Sequence, residues 1–250
     1  MAVAGSRSPF VTPVTDLALG LVVVAATATV LQGWLAADAS WLGGSVLAYL
    51  ALAGCVYRFW PRRRAAFGWP NRITLARAAL VAVLAGALLL PGVFARHGSI
   101  LAALAGVAIL LDGLDGWLAR ALGSATRFGA RFDMEVDALL ILILSIGVFI
   151  TGQAGAWVLA IGAMRYAFVA AGWIAPWWQR ELPPSRWRKI VCVTQGVVLA
   201  VLLLPWLQPP LTQFVAGGSL LVLAHSFARD AAWLVGARDL PLEHKARRSP

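Results

Sequence analysis

Charged residues are scarce in this 250-residue sequence, at 13% of the chain, whereas hydrophobic residues make up 60%. A soluble domain is about a quarter charged, and the mean hydropathy here is +0.79. Cysteine is almost absent: Cys55 and Cys192 both lie inside apolar runs, without the spacing of a disulfide framework or a metal site. The composition therefore excludes an ordinary soluble domain and indicates an integral membrane protein.

Negative charge is scarcer still, with 11 acidic residues against 21 Lys and Arg and a formal net charge of +10. Excess positive charge can indicate nucleic-acid binding, but no nucleic-acid-binding motif accompanies it. In a membrane protein, basic residues more often mark cytoplasmic loops and contacts with anionic lipids. We therefore expect membrane lipids, and no nucleic acid, among the partners.

Apolar segments long enough to cross a bilayer recur along the sequence. The first is longer than the apolar core of a signal peptide, about 7–15 residues, so we predict a retained helix. The predicted fold class is an all-α integral membrane protein with eight crossings. They lie near residues 17–37, 41–60, 73–95, 99–120, 132–151, 154–175, 190–207 and 211–235.

Lys and Arg predict the orientation of these crossings. If the N-terminus is cytoplasmic, Arg96 is the only Lys or Arg residue in an outer loop. Both termini are then inside, as an even number of crossings requires. The inner loops and tail receive Arg62, Arg63, Arg64, Arg127, Arg131, Arg180, Arg186, Arg188, Lys189, Arg238, Lys245, Arg247 and Arg248.

Four of the eight aspartates lie between residues 112 and 137. An ionisable group at membrane depth is costly, so it is usually paired, cavity-facing and functional. Asp112 and Asp115 are three residues apart, and Asp133 and Asp137 are four apart, so each pair occupies one helix face. Two adjacent helices can thus turn four carboxylates toward each other near the cytoplasmic side.

Carboxylates at such close quarters repel one another, and divalent cations resolve that conflict. Oxygen-only ligation favours hard ions, so we predict Mg²⁺ or Mn²⁺. Small residues on the same helix faces leave room for a ligand beside the metals, although helix packing is the alternative explanation. These residues are Gly116, Ala119 and Gly129.

Residues 112–137 read DGLDGWLARALGSATRFGARFDMEVD. This segment resembles the CDP-alcohol phosphotransferase (CDP-alcohol phosphatidyltransferase) signature, D-x2-D-G-x2-A-R-x8-G-x3-D-x3-D, at every fixed position. Upstream, Pro70-Asn71, Ile73-Thr74 and Arg77 resemble the start of the family's first core helix. The resemblance implies a six-helix core over about residues 69–236.

Three parts are expected along the chain. Residues 1–64 hold two additional transmembrane helices and a basic linker, residues 65–236 the catalytic core, and residues 237–250 a basic cytoplasmic tail. The resemblance also implies a homodimer. We expect the protein to lie in the inner membrane of a bacterium, with its active site facing the cytoplasm.

Members of this family let an alcohol displace CMP from a CDP-linked donor. By resemblance, Asp112, Asp115 and Asp133 hold two metal ions, and Asp137 completes the site as ligand and as the base for the acceptor hydroxyl. Two metals suit this chemistry because they neutralise a pyrophosphate and align an in-line displacement. The residues expected to border or hold the cytidine nucleotide are Gly116, Ala119, Arg120 and Gly129.

The donor and acceptor stay open at this point. Members that use glycerol 3-phosphate typically carry a P-x-A-D-K-like run around the third and fourth aspartates, whereas residues 133–138 read DMEVDA. The pattern typical of serine-using members is absent too. We expect CDP-diacylglycerol and a small alcohol as substrates. Transfer from CDP-choline or CDP-ethanolamine to diacylglycerol is the alternative.

Three further polar residues are candidates. Arg165 lies inside an apolar segment, where it is expected to bind an acceptor or lipid phosphate or to pair with one of the acids. Lys189, at the start of the seventh helix, is a second phosphate-binding candidate or an orientation charge. Glu135 is expected to point away from Asp133 and Asp137, toward solvent or headgroups.

An ion-coupled transporter is the rival class, since its intramembrane carboxylates bind a travelling cation. Transporters usually place such sites near the midplane, between broken helices of repeated halves. This sequence shows no repeat, and its acids cluster toward one side. A non-catalytic scaffold is a third possibility, which the intact set of acids disfavours because idle acids at membrane depth cost stability.

Overall fold

The computed structural model describes residues 13–60, 67–121, 126–180, 182–183 and 185–237, and of residues 91, 115–121 and 127 the backbone alone. Every regular element in these ranges is helical, which confirms the all-α prediction. Two short 3₁₀ turns, Ala156–Val158 and Pro176–Gln179, flank α6. The α-helices are α1 (Pro13–Trp34), α2 (Ser40–Phe59), α3 (Trp69–Ala87), α4 (Pro91–Ala121), α5 (Arg127–Ile150), α6 (Leu159–Ile174), α7 (Arg186–Val201) and α8 (Leu211–Gly236).

Five helical segments within the described ranges are long and apolar enough to cross a membrane, which supports an integral membrane protein. Polar residues near the start of α3 lower its hydropathy, α5 carries the acids Asp133, Glu135 and Asp137, and α7 has only 16 residues. Eight crossings with both termini inside therefore stay a prediction. The five segments are Pro13–Trp34, Ser40–Phe59, Gly92–Leu114, Ala156–Ile174 and Leu211–Gly236.

The predicted third segment is wrong at its end. Instead of continuing to residue 95, α3 ends at Ala87 and α4 begins at Pro91. Proline has no amide hydrogen to continue a helix, but its fixed φ suits the first position of the next one. A kink at His97, with φ −124° and ψ 27°, then divides α4, so its longer part begins near the predicted residue 99.

The first two helices are attached to the rest of the protein through α3. On α2, the Trp41 indole Nε1 donates a hydrogen bond of 2.9 Å to the Val83 carbonyl oxygen. On α1, the Asp16 carboxylate pairs with Arg72 Nε at 2.8 Å. Gly86 allows the close approach of α2, since a Cβ there would lie 2.7 Å from the Trp41 carbonyl oxygen.

Helix α3 lies at the centre, because it also packs against α4 and α5. Most of its length is buried, including Ala78, Val81, Ala82 and Leu84. Helix α7 packs against α4, α5 and α8, and α6 packs against α5. The first turns of α3, α5 and α7 and the last turns of α4 thus meet on one side. The predicted basic linker at residues 61–64 and the tail after residue 237 lie outside the described residues.

Candidate metal centre

Three of the four predicted aspartates meet between α4 and α5. Asp112, Asp133 and Asp137 each offer a carboxylate oxygen, and these oxygens lie within 4.8 Å of one another. Asp112 is 5% exposed, whereas the two acids of α5 are half-buried. The four-residue spacing does place Asp133 and Asp137 on one face of α5, the face turned toward α4. The Asp115 side chain lies outside the described residues.

A capped start sets the register of α5. The Thr126 hydroxyl accepts a hydrogen bond of 2.9 Å from the Gly129 amide, which is the usual role of a residue preceding a helix. Gly129 itself lies against α3, where an added Cβ would stand 2.6 Å from Asn71 Oδ1. The Asn71 side chain donates to the Phe67 carbonyl oxygen. Gly129 therefore lets α5 approach the start of α3, and its contact with a nucleotide stays a prediction.

Arg77 of α3 lies among the three carboxylates, a position that the sequence analysis did not predict. Its guanidinium pairs with Asp133 and Asp137, and its Nη1 lies 3.3 Å from Asp112 Oδ1. Its Nε donates a hydrogen bond of 3.1 Å to the Ala108 carbonyl oxygen of α4. Because the side chain is only 1% exposed, the acids share one buried counter-ion.

Helix α7 contributes a second cation and a thiol. Lys189 Nζ lies 3.9 Å from Asp112 Oδ2. The Cys192 thiol donates a weak hydrogen bond, with Sγ 3.9 Å from Asp137 Oδ2. Both acids also border a small pocket of about 20 Å³, which is otherwise lined by Cys192 and by apolar residues of α4, α5 and α7 such as Ile109. The polar site thus adjoins an apolar pocket between these three helices.

The residues present fit a divalent cation. Among the described residues, three carboxylates gather beside Arg77 and Lys189. The clustered donors are carboxylate oxygens, which Mg²⁺ and Mn²⁺ prefer. The guanidinium of Arg77, however, already contacts Oδ1 of each of the three carboxylates that would hold a metal ion.

Two candidates lie away from the acid cluster. Arg165 of α6 pairs with Glu135 of α5, whose side chain is 53% exposed. Glu135 was expected to face solvent or headgroups, and the structure gives it a protein partner in addition to this exposure. Residue 135 lies two positions from both Asp133 and Asp137, so it points to another face of α5 and meets α6. The Nε of Arg165 is buried without a hydrogen-bond partner in the described part of the chain.

The remaining predicted residues lie on α3 and α4. Thr74 donates a hydrogen bond of 3.1 Å to the Pro70 carbonyl oxygen, and both lie in the first turns of α3. Gly116, Ala119 and Arg120 follow Asp112 on the helical backbone of α4. Their side chains lie outside what the structure describes, so their role in nucleotide binding stays a prediction.

Comparisons with known proteins identify relatives of this chain. The chain is 32% identical over 136 residues to proteins of two Mycobacterium tuberculosis strains (CDC 1551 / Oshkosh and ATCC 25618 / H37Rv), each named "Probable phosphatidylglycerophosphate synthase". The match covers 54% of this chain and 65% of each of those proteins, so the chain spans just under two thirds of their length.

A further relative is the "CDP-diacylglycerol--glycerol-3-phosphate 3-phosphatidyltransferase" of Salmonella choleraesuis (strain SC-B67). It is 31% identical over 144 residues, which are 55% of this chain and 77% of that protein. No solved structure matches the chain.

The family model for CDP-alcohol phosphatidyltransferase matches residues 67–228, well over half of the chain. This range begins just before α3 and ends within α8, so it includes all the helices that carry the acid cluster. The chain therefore belongs to the CDP-alcohol phosphatidyltransferase family.

Proposed function

We propose that this protein transfers a phosphatidyl group from CDP-diacylglycerol to the hydroxyl group of a small alcohol, with release of CMP, in phospholipid biosynthesis. The observation that carries the proposal is the meeting of Asp112, Asp133 and Asp137 within a chain of this family. Glycerol 3-phosphate is the first acceptor to test, because the relatives are named for that reaction or its product. The P-x-A-D-K-like run that is typical of members using glycerol 3-phosphate is missing around Asp133 and Asp137. The assay therefore includes other acceptors.

The four aspartates are proposed as the metal ligands. Two Mg²⁺ or Mn²⁺ ions held by Asp112, Asp115, Asp133 and Asp137 would supply charge neutralisation for the pyrophosphate and for the departing CMP. Asp137 accepts the proton of the acceptor hydroxyl while that oxygen bonds to phosphorus and the bond from phosphorus to the CMP oxygen breaks. The half-buried position of Asp137 beside the pocket supports this role.

Other residues are proposed to hold the substrates. Lys189 is the better supported phosphate-binding residue, because its ammonium group already lies beside Asp112. Arg165 pairs with Glu135 yet keeps a buried donor, Nε, that an acceptor or lipid phosphate can use. The residues proposed to border or hold the cytidine nucleotide are Gly116, Ala119, Arg120 and Gly129.

The remaining proposals concern the whole protein. The site would face the cytoplasm of a bacterial inner membrane, because the helix ends that form it are those with basic flanking loops. Residues 1–64, 65–236 and 237–250 would be the two-helix module, the catalytic core and the basic tail. The protein would act as a homodimer, as the resemblance to the family implies.

An assay of CMP release tests the proposed reaction. Purified protein is incubated with Mn²⁺, radiolabelled CDP-diacylglycerol and one acceptor at a time: glycerol 3-phosphate, inositol phosphate, serine or choline. We expect acceptor-dependent release of CMP, greatest with glycerol 3-phosphate, and none from Asp112→Asn. Transfer only from CDP-choline or CDP-ethanolamine to diacylglycerol would contradict the donor. No transfer with any donor would contradict the proposal.

A further inference from the structure

We propose that Arg77 is a built-in counter-ion of the acid cluster, which holds the carboxylates together before metal ions bind and competes with those ions for the same carboxylates. This inference rests on the metal site of the proposed function. It assigns a role in metal binding to a residue on α3, a helix that carries none of the four aspartates.

The contacts of Arg77 carry the inference. One buried guanidinium contacts carboxylates from two helices, with Asp112 on α4 and both Asp133 and Asp137 on α5. A guanidinium is planar and always charged, and its several donors can pair with more than one carboxylate at once. Its position is fixed further by the hydrogen bond from Nε to the Ala108 carbonyl oxygen.

Coulomb forces make the guanidinium and a metal ion competitors. Both are cations that gain their stabilisation from the same carboxylates, and they repel each other in surroundings that screen charge poorly. Metal binding to these carboxylates therefore weakens the Nη contacts of Arg77. The Nε contact goes to a backbone oxygen, so it need not break.

Two opposite effects follow when the charge of Arg77 is removed. Without metal, the carboxylates lose the buried cation that they share, and removal of one partner of a buried ion pair is strongly destabilising. With metal, the competing cation is gone, so the affinity for the ion rises. A residue that merely packs α3 against its neighbours would change the stability but would not tighten metal binding.

The experiment measures Mn²⁺ binding by electron paramagnetic resonance and thermal unfolding by tryptophan fluorescence, in EDTA and in excess Mn²⁺. Arg77→Met removes the charge and keeps an apolar side chain of similar length. We expect it to unfold at a lower temperature than the parent in EDTA and to bind Mn²⁺ more tightly, on the order of tenfold. Tighter binding also means that Mn²⁺ raises its unfolding temperature more than that of the parent.

The matched control is Arg72→Met. Arg72 lies on the same helix and also pairs with one carboxylate, that of Asp16, away from the acid cluster. This variant should lose the same stability in EDTA as in Mn²⁺, and its Mn²⁺ affinity should equal that of the parent. Arg77→Lys keeps the charge but loses the multiple contacts, so its affinity should lie between those of the parent and Arg77→Met.

The outcomes separate the inference from the proposed function. If the parent binds Mn²⁺ and Arg77→Met binds it equally or more weakly, the counter-ion role is overturned while the metal site stands. If the parent binds no Mn²⁺, both the metal site and the competition are overturned. If Arg77→Met can be purified only with Mn²⁺ present, the counter-ion role is supported. If it cannot be purified at all, Arg77→Lys decides: unchanged or weaker Mn²⁺ binding overturns the inference.

Discussion

Asp137 lies one helical turn beyond Asp133, where it contacts Arg77 and approaches the thiol of Cys192. A metal ligand and a general base both need a carboxylate oxygen beside the reacting phosphate, so the two proposed roles of Asp137 share one position. The two roles differ in what excess metal does. A missing ligand lowers metal affinity, which more metal overcomes, whereas a missing base lowers the rate whatever the metal concentration.

We predict that Asp137→Asn lowers turnover by roughly 10²–10⁴-fold at saturating CDP-diacylglycerol, and that the rate stays low as Mn²⁺ is raised. Nucleotide binding, measured by CDP titration, should survive. Asp133→Asn is the matched control one turn earlier, and its main defect should be weaker Mn²⁺ binding. Recovery of Asp137→Asn toward the parent rate in high Mn²⁺ would leave Asp137 as a ligand only.

The spacing of residues along the sequence predicted which helix face each residue occupies. It did not predict which neighbouring helix packs against that face. The spacing within two pairs, Asp112 with Asp115 and Asp133 with Asp137, was enough to predict that acids of two helices converge, and the three described side chains do. Arg77 matched the family's first core helix, yet its contact with the acids depends on how α3 is placed between α4 and α5. The pairing of Glu135 with Arg165 was missed for the same reason, since it depends on where α6 packs.

At the scale of the helices, the site depends on how closely α5 approaches α3. Gly129 is the contact point, because a Cβ there would stand 2.6 Å from Asn71 Oδ1. A shift of α5 would also move Asp133 and Asp137 relative to Arg77. Packing at residue 129 is therefore expected to affect the geometry of the acid cluster as well as stability.

We predict that Gly129→Ala lowers the free energy of unfolding by about 1–3 kcal/mol, the usual cost of overpacking, and weakens Mn²⁺ binding. Gly106→Ala on α4 is the control, because its Cβ would meet nothing within 4 Å. That variant should be neutral or stabilised by up to about 1 kcal/mol, since alanine favours a helix. Equal thermal stability and Mn²⁺ affinity in the two variants would show that the approach of α5 to α3 is not tight.

The length of the apolar segments predicted that the helices exist, but it did not predict accurately where they end. The apolar run of α3 continues through residues 88–90, which lie between the two helices, and α4 then begins at Pro91. The apolar run of α7 likewise continues past Val201 into residues that form turns before Gln208. Where composition does not change at a helix end, the end is set by proline and by packing.

At the scale of the whole molecule, orientation follows from the distribution of basic residues. We predict that cysteines at Asp38 and Gln208, in a background with Cys55 and Cys192 replaced by alanine, react with a membrane-impermeant maleimide from the outer side. Arg186→Cys, at the start of α7, should react only after the membrane is opened. Labelling of residue 38 or 208 from the cytoplasmic side alone would contradict eight crossings with both termini inside.

The attachment of α1 and α2 was not predictable from the sequence. Both read as apolar helices outside the family resemblance, and apolar helices can pack against many neighbours. In the structure they pack against α3 through contacts of Trp41 and Gly86 and through the Asp16–Arg72 ion pair. Because α3 also carries Arg77, the two-helix module and the acid cluster share one helix.

Metal dependence of CMP release bears most directly on the claim that the clustered aspartates make this chain a phosphatidyltransferase. The protein is treated with EDTA, assayed with labelled CDP-diacylglycerol and glycerol 3-phosphate, and assayed again after Mg²⁺ or Mn²⁺ is added. We predict that release stops in EDTA and returns with either ion. Asp112→Asn, Asp115→Asn and Asp133→Asn should each lose both turnover and Mn²⁺ binding. Full turnover in EDTA, or in any of these three variants, would contradict the metal centre described above.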